Sequence, residues 1–82
     1  MIRWERIKYR LETMTLKDRK TLFSQFMKEH DRWAKKTLEV LAKVVVLLQP
    51  QHKVAELTDT HKQSLNRSVK RYKEFLYKRG IK

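Results

Sequence analysis

Apolar residues recur along this chain at intervals of three and four, and the pattern restarts after recognisable breaks. Trp4, Ile7, Leu11 and Met14 are spaced by three, four and three, so they share one face of a helix over about residues 2–14. Arg3, Arg6 and Arg10 crowd beside that seam. Thr15-Leu16-Lys17-Asp18 then offers a hydroxyl cap with an acid three residues on, a variant of the capping box that marks a fresh helix start. The stripe that follows runs through Phe23, Phe26, Met27, Trp33, Ala34, Leu38, Leu41, Val45 and Leu48, with Lys28, Arg32, Lys35, Lys36 and Lys43 largely opposite. Unbroken over residues 16–48, this helix would reach about 50 Å at roughly 1.5 Å per residue. The alternative is a break near Glu29-His30-Asp31, with Asp31 capping the second piece.

Around Val44 to Leu48 the pattern is apolar on nearly every side, which implies burial between several partners, one of them a second subunit. Pro50 ends the long helix and suits the first position of a short one over residues 50–57, which would bury Val54 and Leu57. Thr58-Asp59-Thr60 is the next break, and Thr60-His61-Lys62-Gln63 has the capping-box spacing for a last helix over residues 60–79. There Leu65, Val69, Tyr72, Phe75 and Leu76 fall within about a third of the turn. Arg67, Lys70, Arg71, Lys73 and Lys78 lie opposite, with Gln63, Asn66 and Tyr77 among them, and Gly80 supplies the left-handed stop. The expected fold is all-α: a small helical bundle of three to four helices with one long central helix and a C-terminal half like a helix-turn-helix.

Composition supports helices, since one Gly and one Pro are too few for a turn-rich β fold. At 82 residues the chain makes one domain whose core is marginal by itself, so a homodimer through the long apolar helix is expected. Without cysteine there is no disulfide framework or thiolate metal site. Met1 to Arg10 contains no signal-peptide core, and the longest apolar run, Val44 to Leu48, is too short to span a bilayer. A cytoplasmic protein is expected, nucleoid or nuclear if it binds DNA, and not a secreted one.

Charge narrows the function further. The formal net charge is +12 and the pI about 10.3, which suits a polyanionic partner. Thr60 to Lys82 holds eight Lys or Arg against one Glu, and Thr15 to Lys36 seven against three acids, whereas Thr37 to Asp59 has two against three. Cationic zones therefore flank an apolar, nearly neutral middle. The mechanism implied is phosphate neutralisation with counterion release, giving steep salt dependence.

The run Val54 to Arg67 resembles a helix-turn-helix, with Ala55 as the small residue that lets two helices approach and Leu65 closing their seam. Thr58, Thr60 and Ser68 stand where that motif has apolar residues, and Asp59 replaces its turn glycine. The resemblance implies that His61, Lys62, Gln63, Ser64, Asn66 and Arg67 meet base edges or phosphates in the major groove, with Gln63, Asn66 and Arg67 as base readers. Lys70, Arg71, Lys73, Lys78 and Arg79 then engage phosphates. Nucleic acid is the expected partner, DNA before RNA; an acidic protein that accepts a helical adaptor, inhibitor or scaffold is the alternative. Membrane attachment ranks third, because the apolar arc of the basic helix is needed for the fold.

Other polar residues have bland readings. Tyr9 and Tyr77 could stack on an unpaired base but also suit the rim of a core, and Trp4 and Trp33 belong to apolar stripes. His30 in the long stripe either fixes register or sits hydrogen-bonded at a helix break. His52, Glu56, Asp59 and His61 give only a weak metal signal, and no cofactor is expected. With no glycine-rich phosphate loop, nucleophile elbow or cysteine nucleophile, catalysis is not expected.

Overall fold

The computed structural model describes residues 3–81, which form five helices: α1 (Trp4–Glu12), α2 (Leu16–Glu29), α3 (Lys35–Val45), α4 (Gln51–Leu57) and α5 (Lys62–Lys78). The described chain is all-helical, and α3 packs on α2, α4 and α5. Residue 2, where the first helix was expected to begin, lies outside the described residues. Among the described residues no helix is long and apolar enough to cross a membrane.

The continuous helix does not form: the chain takes the alternative break near Glu29-His30-Asp31, giving two helices and a total beyond three or four. A helix over residues 16–48 would run about 50 Å, whereas the longest dimension of the fold is 31 Å. No Gly or Pro breaks it; an aromatic cluster does. His30 leaves helical geometry at φ −127 and ψ 45, its Nδ1–H donates to the Phe26 carbonyl at 3.0 Å, and its ring stacks on Phe26 with centroids 4.1 Å apart. Trp33 then meets Phe26 edge-on at 5.4 Å. In a continuous helix, seven residues would separate these two by roughly 10 Å along the axis. Aromatic contact is thus gained by turning the chain, and His30 is the hydrogen-bonded histidine of a helix break. α3 starts after Ala34, without a side-chain cap, so Asp31 does not take the capping role expected of it.

Local signals hold in several places. The Thr15 hydroxyl accepts the Asp18 N–H at 3.1 Å, as its spacing predicts. At the far end Gly80, at φ 83, closes α5: the Ile81 N–H reaches the Leu76 carbonyl at 3.0 Å and the Gly80 N–H the Tyr77 carbonyl at 3.0 Å, a Schellman motif. Other ends differ from expectation. α3 stops at Val45, ahead of Pro50, and Leu48 turns the chain through the left-handed region at φ 57. Pro50 is the residue before α4 rather than its first, with ψ 133.

One core gathers Ile7 and Leu11 from α1, Phe23 and Phe26 from α2, Val40, Leu41, Val44 and Val45 from α3, and Leu65, Val69, Tyr72, Phe75 and Leu76 from α5. Val44, Val45 and Val46, which the sequence assigned in part to a subunit contact, are covered within this one chain. Leu57 was expected inside but is 79% exposed. α4 turns Val54 and Ala55 inward, and Leu57 lies about 160° around the helix from Ala55. Tyr72 is fully buried among Phe23, Phe26 and Phe75, with centroids 5.8, 5.0 and 5.6 Å away.

Candidate nucleic-acid interface

α4, the turn 58–61 and α5 form a hairpin whose apolar seam is Val54, Ala55, Leu65 and Val69, all buried. Its turn is also a Schellman motif: the Thr60 N–H reaches the Ala55 carbonyl at 2.9 Å and the Asp59 N–H the Glu56 carbonyl at 3.3 Å. Asp59 occupies the left-handed position at φ 53, where glycine is the usual residue, and a short polar side chain is among the few that tolerate it. The threonines flanking it satisfy themselves. Thr58 donates to the Val54 carbonyl at 2.6 Å, and its hydroxyl meets that of Thr60 at 2.8 Å. Ser68, buried where the motif has an apolar residue, donates to the Ser64 carbonyl at 3.2 Å. At each of these four positions the fold supplies a local hydrogen bond or a tolerated backbone angle.

Because Thr60 is held by Thr58, it does not cap α5. The cap is His61, whose Nδ1 accepts the Gln63 N–H at 3.3 Å, and the helix begins at Lys62 rather than at residue 60. Burial of Leu65, Ser68, Val69, Tyr72, Phe75 and Leu76 turns the remaining positions of α5 outward. Lys62, Gln63, Asn66, Arg67, Lys70, Arg71, Lys78 and Arg79 are exposed, and Lys73 is half-buried. Lys62, Gln63, Asn66, Arg67 and Lys70 follow one another across one continuous strip of the N-terminal half.

Expected phosphate ligands already have partners, Arg79 and Arg71 among them. Arg79 pairs with Glu29 at 2.8 Å and lies over the Phe75 ring at 4.4 Å, tying the end of α5 to the end of α2. Arg71 meets Glu74 at 3.7 Å, but both side chains are at least half exposed, so the pair is weak and easily exchanged. Asn66 accepts a hydrogen bond from the Gln51 carboxamide. That contact fixes one end of Asn66 while leaving its amide N–H groups for a ligand.

The fold adds neighbours that sequence reasoning missed. Lys36 and Thr37 at the start of α3 line a surface cleft with His61 and Ser64 at the start of α5. Gln51 and Trp4 line another with Asn66, Lys70, Lys73 and Tyr77. Neither meeting has a local sequence signal, since the partners come from separate helices; Trp4 reads as core by its spacing but is only half-buried. Among the described residues no three His, Asp or Glu side chains gather as a metal site. The chain matches no protein-family model, no curated protein and no solved structure.

Proposed function

We propose that this protein binds nucleic acid, duplex DNA in preference to RNA, by laying the N-terminal half of α5 in the major groove. The observation that carries the reading is the α4–α5 hairpin: its turn geometry and buried seam leave Lys62, Gln63, Asn66, Arg67 and Lys70 exposed together on one strip. From Lys62 to Lys70 a helix rises about 12 Å, close to the major-groove width of about 12 Å. The A-form groove of RNA is too deep and narrow for such an entry. Arg67 suits a guanine edge and Gln63 an adenine edge, with Asn66 presenting its amide N–H groups. Lys70, Arg71, Lys73 and Lys78 face the backbone phosphates.

If those four cations each displace a counterion, affinity falls by about a hundredfold between about 50 and 200 mM salt. The decisive variant reverses charge at Arg67, Lys70 and Arg71, all exposed and outside the core. It is expected to keep the helical spectrum and melting temperature of the parent and to lose duplex binding in a gel shift. Undiminished binding overturns the proposal. Weak binding that is indifferent to salt across duplex DNA, single-stranded DNA and duplex RNA also overturns it, and leaves docking on an acidic protein as the better reading.

A further inference from the structure

The cleft between α3 and α5 has a volume of ≈ 260 Å³ and is lined from both helices and from the turn 58–61. Its open donors are the ammonium of Lys36, the hydroxyls of Thr37 and Ser64, and the ring of His61. Among the described residues no ion pair engages Lys36, and neither hydroxyl is hydrogen-bonded. His61 accepts the Gln63 N–H at Nδ1, so the proton of its neutral ring is on Nε2 and that N–H can donate. The other hydroxyls of the cleft are already satisfied, Thr60 by Thr58 and Ser68 by the Ser64 carbonyl. An ammonium, a ring N–H and two hydroxyls suit an anion that only accepts hydrogen bonds and offers several oxygens, as a phosphodiester does.

The cleft also lies where a duplex on the exposed strip of α5 would bring such a group. Ser64 is about 60° around the helix from Arg67 and about 100° from Gln63, so the cleft borders that strip along its α3 side. A helix centred in a groove about 12 Å wide has a phosphate chain roughly 6 Å away on each side. We infer that the α3–α5 cleft holds one phosphate of the nearer chain, through Lys36, the His61 Nε2–H and the hydroxyls of Thr37 and Ser64. α3 thereby contacts DNA, although it lies outside the α4–α5 hairpin. A hold from this side also fixes how α5 is turned about its own axis, and so which of Gln63, Asn66 and Arg67 meets a base edge. Asp59 on the same wall opposes the phosphate, so its charge acts with the sign opposite to that of Lys36. This role for α3 rests on the groove contact proposed above.

Duplex affinity across a salt series, measured for four variants at exposed positions, tests the assignment. Lys36→Ala is expected to weaken binding about eightfold at about 0.1 M salt, equally for different sequences, and to lower the salt slope by about one. Ser64→Ala removes an uncharged donor and is expected to weaken binding by roughly threefold with the slope unchanged. Asp59→Asn keeps a residue that tolerates the left-handed position and is expected to tighten binding. Lys20→Ala deletes the same charge as Lys36→Ala, but from a hollow on α2 that no residue of α5 lines, and is expected to behave as the parent does. Lys36→Ala indistinguishable from Lys20→Ala, or weaker binding by Asp59→Asn, overturns the cleft assignment. The groove contact still stands in that case if the parent binds and the variant reversed at Arg67, Lys70 and Arg71 does not. A parent that fails to bind duplex DNA overturns both.

Discussion

Replacing Tyr72 by Phe should make the protein more stable. Tyr72 is 0% exposed, and its hydroxyl has no hydrogen-bond partner among the described residues. Phenylalanine keeps the ring against Phe23, Phe26 and Phe75 and removes only the unpaired oxygen. A buried hydroxyl without a partner costs about 1–3 kcal/mol. The void left by one oxygen, about 10 Å³ at about 24 cal/mol per Å³, subtracts roughly 0.2 kcal/mol. The net gain is then about 1–2.5 kcal/mol, which for a domain of this size raises the melting temperature by roughly 5–15 °C.

Tyr72 also carries a pH signature. Burial pushes its hydroxyl well above the ordinary phenol range, and the Arg79 charge opposes this only in part. A raised pKa means that the folded state favours neutral Tyr72. Its contribution is complete below the unfolded value of about 10 and is lost as pH climbs through the higher folded value. The parent should therefore lose stability above about pH 10 faster than the Phe variant does. Thermal and urea unfolding followed by circular dichroism, at neutral pH and across the alkaline range, measures both effects. A Phe variant that melts lower than the parent at neutral pH, with an unchanged urea m-value, refutes the reasoning and means that the hydroxyl is hydrogen-bonded.

Three further substitutions test the fold around the proposed interface. Asp59→Gly relieves a left-handed residue at φ 53, worth about 1 kcal/mol of strain against about 0.5 kcal/mol of added unfolded-state entropy. A small gain in urea midpoint is expected, and a loss would mean that the Asp59 carboxylate supports the start of α5. Arg79→Ala removes the 2.8 Å pair with Glu29 and the stack on Phe75, costing about 0.5–1.5 kcal/mol for groups this exposed. The salt slope of DNA binding should stay the same; a fall of about one would put Arg79 on a phosphate instead. Thr15→Ala deletes the cap on Asp18 and should lower stability by about 1 kcal/mol, while an unchanged melting temperature would show that water serves that N–H equally well.

Helical faces were legible in the sequence because they depend on local periodicity. Spacing alone picks out Ile7 and Leu11, the buried spine from Leu65 to Leu76, and the outward placement of Arg67, Lys70 and Arg71, and all of these hold in the fold. So do the Thr15 cap and the Gly80 stop, which need only a hydroxyl or a missing Cβ within one turn. Tertiary structure decided where the chain turns when no Gly or Pro instructs it. The break at His30 follows from Trp33 reaching Phe26, and the start of α5 at Lys62 from Thr60 being held by Thr58. It also decided that Leu57 faces out, that Arg79 is tied to Glu29, and that Trp4 stands in the same cleft as Tyr77, seventy-three positions away. A helical repeat fixes which side of each helix is apolar, but it carries no information about which apolar sides meet. That choice is made by packing between helices distant in sequence, and the candidate interface was built by it.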